Sequence, residues 1–314
     1  MSGLRVERFR PALADEWNAF VASSKNGTFL LDRNYMDYHS DRFLDHSLLL
    51  RDSKQALVAL LPANEAHHWL HSHAGLTYGG LVLGIRTGAA EVLQMFEAIR
   101  DYLRANALAG MHYKTIPSVY HRHPAEEDRY ALFRMDARLA RRDVLSVVPG
   151  GDRIRYQDRR ARGVNAARKA GVAVAESTDF SAFWAVLDGN LRARFGVSPV
   201  HALEEISLLN GRFPDSIRLF EATSDECVVA GAVIFETDRV AHVQYISASE
   251  RGKELHALDA VFDHLLSQRY LHKPFFDFGI SNEEAGRVLN AGLVAQKEGF
   301  GARTIVHDHY ELDA

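Results

Sequence analysis

The sequence predicts an α/β (α+β) protein made of two similar domains, each with a mixed sheet flanked by helices. Apolar residues recur at helical or strand spacing along nearly the whole chain. The order of predicted elements in the second half repeats the order in the first. The 314 residues also suit two domains of about 150 residues better than one.

The first half predicts a strand, two helices, three strands, a helix, a strand, a helix and a strand. The predicted elements are strand 4–9, helix 12–24, short helix 32–39, a hairpin of 46–52 and 56–63, extended stretch 69–83, helix 88–108, strand 111–117, helix 123–139 and strand 142–149. The helix over 88–108 has the clearest pattern, because Val92, Phe96, Ile99 and Leu103 form one apolar stripe.

The second half predicts the same order after a basic helix over 155–171, which Gly171 ends. Its elements are strand 172–177, helices 179–195 and 199–213, a hairpin of 216–223 and 227–237, strand 239–249, helix 256–271, strand 275–281, a short helix ending near Lys297 and strand 303–312. Repetition of a whole element order predicts two copies of one fold. The boundary near Pro149-Gly150-Gly151 gives domains 1–149 and 150–314.

Composition excludes several classes of function. The net charge of −4 and a pI near 6.5 provide no overall basic field that would attract nucleic acid. Cys227 is the only cysteine, so an intrachain disulfide is impossible. The N-terminus has no apolar signal core and no apolar run is long enough for a membrane span, which predicts a cytoplasmic protein without membrane insertion.

Four segments carry a resemblance to a known family. They are NGTFLLDRNYMDYH (26–39), LTYGG (76–80), AGAVIFETDRVAHVQYISAS (230–249) and FDFGISNEEAGRVLNAGLVAQKEGFGAR (276–303). In this order and spacing the chain resembles FemAB-like GNAT N-acyltransferases, which are tandem GNAT proteins related to the FemABX peptidyltransferases. The resemblance implies an acceptor side in domain 1–149, an acyl-donor side in domain 150–314, and acyl-CoA as co-substrate.

One segment departs from that family. GNAT proteins place R/Q-x-x-G-x-G/A before their long helix to hold the pyrophosphate of coenzyme A, whereas this chain has ERGKELHA (250–257) with one glycine and one lysine. Backbone N–H groups at a strand–loop–helix junction still suit a phosphate. The specific cradle, however, is not present in the sequence.

Acyl transfer to an amine requires a group that accepts the amine proton. His242 and Gln244 share one face of an apolar strand, and Tyr245 lies on the other face. His242 and Gln244 are either site residues or a hydrogen-bonded interior pair. Asp277, among aromatic residues, is either the general base or an acid that anchors a neighbouring loop.

The segment after Asp277 supplies further candidates. Gly279 and Ser281 stand where the strand ends, where backbone can approach a ligand closely. Lys297 is either a surface cation at a helix C-terminus or, as the family's K-x-x-F-G element implies, a residue beside the donor channel. Asn290 and Arg303 are weaker candidates in the same neighbourhood.

The remaining candidates for substrate contact come mainly from the first half. They are Tyr78, Gly79, Arg33, Tyr35, His39 and, from the second half, His201. The glycines of LTYGG are also explained by a tight bend, and His201 by an ordinary position near a helix N-terminus. The four histidines of HHWLHSH (67–73) predict no metal, because only His71 and His73 would share a strand face and no acidic partner is fixed nearby.

The resemblance therefore implies an N-acyltransferase. It would move an acyl group from acyl-CoA to a primary amine of an amino sugar or related pathway metabolite, with acetyl-CoA as the expected donor. Direct attack by the amine is expected, because nothing marks Cys227 as an activated nucleophile. Two alternatives stay open: an aminoacyl-tRNA-dependent transferase of FemABX type, and a catalytically inactive tandem-GNAT binding module.

Overall fold

The computed structural model describes residues 3–314, in which the chain forms two compact units. The first unit ends at Asp143 and also includes Glu284–Arg287 and Val306–Ala314, and the second comprises Val144–Glu283 and Val288–Ile305. These units differ from the predicted domains 1–149 and 150–314, because the first break follows Asp143 and two later segments belong to the first unit. Strand periodicity shows which face of a strand is buried but not which strands it pairs with. The repeated element order, which predicts the last strand in the second domain, therefore does not reveal that the end of this strand belongs to the first unit.

The first unit contains two sheets and two longer helices. Its elements are β1 (Arg5–Arg8), α1 (Ala14–Ser23), α2 (Arg33–Met36), β2 (Leu44–Asp45), β3 (Leu48–Arg51), β4 (Leu57–Leu61), β5 (Asn64–Ala66), β6 (Trp69–His71), β7 (Val82–Leu83), α3 (Ala89–Ala105), β8 (Gly110–Lys114), α4 (Glu127–Arg134) and the start of β9 (Arg138–Pro149). The strand order is β1-β3-β4-β7 in one sheet. In the other, β2, β5, β6 and β8 are neighbours in that order, and the last strand of the chain pairs with β8.

The core of the first unit lies under α3. The predicted stripe Val92, Phe96, Ile99 and Leu103 is buried there, which confirms the helix and the face that it presents. The predicted extended stretch 69–83 is wrong in its middle, because only its two ends are strands.

Gly79 shows why that stretch bends. A Cβ atom on Gly79 would lie 1.9 Å from the carbonyl oxygen of Ser72, so the backbone turns back on itself at this point. The close approach supports the tight-bend explanation of this glycine.

The second unit contains most of the candidate residues. Its elements are α5 (Asp158–Lys169), β10 (Ala173–Ser177), α6 (Ser181–Phe195), α7 (Leu203–Arg212), β11 (Ile217–Ser224), β12 (Cys227–Glu236), β13 (Val240–Ala248), α8 (Glu250–Glu254), α9 (Ala257–His264), β14 (Phe275–Ile280), β15 (Asn282–Glu283), β16 (Val288–Leu289), α10 (Ala291–Glu298) and β17 (Arg303–Asp313), whose end from Val306 belongs to the first unit. The strand order is β10-β11-β12-β13-β14, followed by the end of β9.

From β10 onward these elements keep the predicted order, with three local differences. Residues 250–254 form a short helix rather than a loop, because the Ser249 hydroxyl accepts a hydrogen bond from Gly252 N at 3.1 Å and caps it. The helix ending near Lys297 begins only at Ala291, after the small β15–β16 hairpin. The helix predicted from Pro199 begins at Leu203. Among residues 3–314, none of the helices combines the length and hydropathy that crossing a bilayer requires.

Candidate active site in the second unit

The parallel pair β13 and β14 separates early. The two strands pair at only three positions, the last of which places His242 opposite Asp277. β13 continues to Ala248. After His242, the edge of β13 that faces β14 pairs with no strand of the described residues 3–314. Backbone N–H and C=O groups on such an unpaired edge must find other partners, and an extended ligand can supply them.

β13 also carries a bulge at this point. Its partners on β12 shift, so that Val243 lies opposite Ile234 and Tyr245 opposite Val233, which leaves Gln244 without a Cα partner. An extra residue of this kind bends its strand and redirects the neighbouring groups, and bulges are common beside active sites. The bulge also places His242 and Tyr245 on the same face of β13, because their partners Phe235 and Val233 are alternate residues of β12, so the predicted opposite faces are wrong. Nothing in a run of alternating residues marks a bulge, so the sequence does not predict it.

His242 and Asp277 form a hydrogen-bonded pair. His242 Nδ1 and Asp277 Oδ2 are 3.0 Å apart, and the other carboxylate oxygen accepts the backbone N–H of Gly279 at 2.7 Å. The two residues are only 7% and 1% exposed. An ionised carboxylate can only accept, so Nδ1 carries the ring proton and Nε2 is the basic nitrogen of the neutral ring. Asp277 thus fixes both the tautomer and the orientation of His242.

Lys297 and Ser281 stand at the end of β14. The ammonium of Lys297 donates to Gly279 O at 3.1 Å, Ile280 O at 2.6 Å and the Ser281 hydroxyl at 2.9 Å. Ser281 Oγ is also 3.0 Å from Ser146 Oγ. Lys297 is 5% exposed, so the surface-cation interpretation is wrong. Burial lowers the pKa of Lys297 to about 8, although the charge of nearby Asp277 acts in the opposite direction.

Gly279 provides a test of this geometry. Its φ is +74°, and a Cβ atom there would lie 3.3 Å from Cε1 of His242. We expect Gly279→Ala to cost about 1–2 kcal/mol of stability and to lower turnover further by displacing the imidazole. Chemical denaturation and turnover per folded molecule measure the two effects.

Gly189→Ala is the matched control for this substitution. Gly189 lies within α6 and has open space at its Cβ position, so alanine there should be neutral or stabilising. Equal behaviour of the two variants would show that the backbone of Gly279 is not constrained.

His201 and Tyr245 come together beside the same strand. His201 Nδ1 is hydrogen-bonded to the Tyr245 hydroxyl, and the His201 carbonyl accepts from Trp184 Nε1 at 3.2 Å. His201 is buried before the start of α7, while Tyr245 is partly buried. Both were candidates on separate grounds, and only the structure shows them as a pair.

A basic pocket of about 280 Å³ lies at the end of β13. Its lining includes Ala248, Gly252, Arg159, Lys253 and His256. Gly252 is required at this position, because a Cβ atom there would lie 2.1 Å from the carbonyl oxygen of Val229. Lys253 is paired with the exposed Glu250, and an ion pair of this kind contributes little in water. A phosphate can therefore replace the carboxylate as the partner of Lys253.

Two weaker candidates have structural partners. Asn290 caps α10, since its Oδ1 accepts from Leu293 N at 3.0 Å and its amide donates to Glu283 at 2.8 Å. The exposed Arg303 donates to the neighbouring carbonyl of Ala302 at 2.6 Å. These contacts account for the two residues without a ligand, and a role in binding stays a prediction.

The candidates of the first unit lie within its own packing. Arg33 is buried, pairs with Asp37 and Asp45 and lies 3.8 Å from the ring centre of Phe9. The two carboxylates and the aromatic ring compensate the buried guanidinium charge and account for Arg33 without a ligand. Its contact with an acceptor stays a prediction.

The aromatic candidates of the first unit are buried as well. Tyr35 packs edge-on against Tyr38 with ring centres 5.5 Å apart, and His39 stacks on Tyr38 at 4.3 Å. The Tyr78 hydroxyl is 2.8 Å from Thr28 Oγ1. Acceptor contacts for these residues also stay predictions.

Comparisons with known proteins establish the fold. No protein-family model matches the sequence, and a search of curated proteins finds no match. Among solved structures, FemX is similar with a TM-score of 0.68 and 10% identity over 99% of this chain and 97% of FemX. L-PGS from Bacillus licheniformis is similar with a TM-score of 0.62 and 14% identity over 98% of this chain and 93% of that protein.

A third similar structure is a tandem GNAT protein from the clavulanic acid biosynthesis pathway. It gives a TM-score of 0.50 with 10% identity over 98% of this chain and 97% of that protein. At these identities the likenesses concern the fold, and they confirm the FemAB-like tandem GNAT fold that the sequence resemblance implied.

Proposed function

We propose that the protein is an N-acyltransferase that joins an acyl group to a primary amine in the second unit. The observation that carries the proposal is the His242–Asp277 pair at the point where β13 and β14 stop pairing. A buried imidazole held by a carboxylate is a suitable proton acceptor. It stands next to an unpaired strand edge and a bulge, where a reacting acyl group has backbone partners.

The reaction follows from these positions. The neutral amine attacks the acyl carbonyl, the developing oxyanion accepts hydrogen bonds from backbone N–H groups of β13 after His242, and His242 Nε2 accepts the amine proton. Asp277 stabilises the resulting imidazolium. The carbon–sulfur bond of an acyl thioester then breaks, and the thiolate leaves with a proton from the imidazolium or from water.

Acyl-CoA is the donor that we propose, because the basic pocket suits its phosphates. Arg159, Lys253 and His256 line a space of about 280 Å³ at the end of β13, on the strand that also carries His242. The one carboxylate that the described residues contribute to the lining, Asp259, is paired with Arg160. The first acceptors to test are amino sugars and related small amines. A thiol-release assay with acetyl-CoA and longer acyl-CoAs, followed by mass spectrometry of the amine product, tests the activity.

The pocket gives a separate prediction for donor binding. We expect Lys253→Met and Arg159→Met each to weaken acyl-CoA binding by about ten- to a hundredfold, because a charge-assisted hydrogen bond contributes about 1.5–3 kcal/mol. Isothermal titration measures the change. Lys169→Met, on the exposed end of α5, is the control and should bind as the parent does. Unchanged affinity in both pocket variants would place the donor elsewhere, and an equal loss in all three variants would show a general effect of charge.

Aminoacyl transfer from charged tRNA is the second candidate function. The similarity to FemX favours it, since the TM-score of 0.68 exceeds the 0.50 of the tandem GNAT protein, and the sequence resemblance includes the tRNA-dependent FemABX enzymes. Tight tRNA binding that falls steeply with salt, without binding of any acyl-CoA, would select this candidate. If the protein transfers an acyl group from neither donor, the remaining candidate is a catalytically inactive tandem-GNAT binding module.

A further inference from the structure

A cluster of metal-ligating side chains lies in the first unit, outside the site described above. His307 and His309 are alternate residues of β17 and therefore point to the same face of the strand, and Asp143 lies on β9. One ligand atom from each residue lies within 4.8 Å of the other two. The two imidazole rings have centres 4.9 Å apart, and His309 Nε2 is 3.3 Å from Asp143 Oδ2.

One imidazole of the cluster is held by the backbone, and the other has a buried nitrogen without a hydrogen-bond partner. His307 Nε2 donates to the carbonyl of Thr115 at 2.7 Å, which leaves Nδ1 with the lone pair of the neutral ring. Histidine ligands commonly donate their other ring N–H to a carbonyl or carboxylate in this way. His309 Nε2 is buried and has no hydrogen-bond partner in the described part of the chain, despite its proximity to Asp143.

We propose that Asp143, His307 and His309 bind a divalent transition-metal ion, with Zn²⁺ the best match. Two imidazoles and one carboxylate form a ligand set that zinc accepts, with a fourth position for water or another ligand. His309 also lines a cleft of about 430 Å³ together with His71, His112 and Glu311, and this cleft gives the fourth position access to solvent.

Arg141 is the competitor of the ion. Its Nε lies 2.8 and 2.9 Å from the two carboxylate oxygens of Asp143, and it neutralises that carboxylate when no metal is present. The Arg141 side chain is 37% exposed, so it can turn into solvent when a cation takes its place. Metal binding therefore requires the partly exposed Arg141 side chain to move away from Asp143.

The test is a titration of the full chain, with any affinity tag removed, against a chromophoric zinc chelator. We expect one ion per chain in the parent protein. His309→Ala and His307→Ala should each weaken binding at least about tenfold, since even the outer partners of metal ligands contribute that much. His309→Ala is the safer variant for folding, because its Nε2 makes no hydrogen bond.

His112→Ala is the matched control. His112 lines the same cleft but lies outside the three-residue cluster, so this variant should bind zinc as the parent does. Zinc should also raise the Tm of the parent and of His112→Ala, and leave that of His309→Ala unchanged. The proposal is overturned if the parent binds no ion, if both cluster variants bind like the parent, or if His112→Ala loses as much affinity as they do. Preference for Mg²⁺ over Zn²⁺ would overturn the ligand assignment as well. None of these outcomes depends on transferase activity.

Discussion

Replacing His242 by alanine is expected to lower turnover by about two to four orders of magnitude, the usual contribution of a general base. Without the imidazole, the attacking amine has no proton acceptor held at the end of the paired segment of β13 and β14. Asp277→Asn should give a loss of similar order, because an amide can donate to Nδ1 and so permit the wrong tautomer of the ring. Initial rates at saturating donor, per folded molecule, are the measurement.

The folded fraction has to be measured in the same samples. His242→Ala leaves the buried Asp277 carboxylate with Gly279 N–H as a remaining partner, so this variant should also lose stability. Asp277→Asn keeps a neutral hydrogen-bonding side chain and separates the two effects. His272→Ala, on an exposed turn, is the histidine control. Unchanged turnover per folded molecule in both variants, with a lower Tm, would make the pair structural.

The sequence predicted the strands of the site better than the contacts between them. Strand periodicity correctly placed His242 on β13 and Asp277 on β14, but the bulge at Gln244 breaks the alternation from which a shared face for His242 and Gln244 was predicted. The register that sets His242 opposite Asp277 depends on how the chain between the strands packs α9, and no local pattern encodes it. Gln244 at a bulge and Ser146 beside Ser281 were invisible for the same reason.

The first half shows a second limit of sequence reasoning. The apolar stripe of α3 predicted its buried face, because helical period and burial are local properties. Arg33, Tyr35 and His39 were chosen through the family resemblance, and the structure shows them in the packing of the first unit. The cluster of Asp143, His307 and His309 had a visible signal in HDH (307–309), but the carboxylate comes from a strand far away in the sequence.

Lys297→Met is expected to destabilise the protein in a way that depends on pH. Three acceptors, two of them backbone carbonyls, lose the ammonium that holds the end of β14. A buried polar group without its partner costs about 1–3 kcal/mol. We therefore expect a loss of this order at pH 7, together with lower turnover, because the same backbone positions Asp277 through Gly279.

The sign of the pH dependence follows from the pKa of Lys297, about 8 in the folded protein and 10.5 as the ordinary value. Below pH 8 both states hold the proton. Between pH 8 and 10.5 the unfolded chain still binds a proton that the folded protein has released, so this lysine makes the parent more stable as pH rises, by up to about 3 kcal/mol. The variant lacks that gain, so the amount by which it is less stable than the parent should increase from pH 8 to 10.5.

Urea unfolding of both proteins at pH 7, 8, 9 and 10 measures the difference, with Lys169→Met, exposed on α5, as a control that should follow the parent. If the difference in unfolding free energy between the variant and the parent stays constant from pH 8 to 10, the pKa of Lys297 is the same in the folded and unfolded states. Burial would then not disfavour the charged form of this lysine.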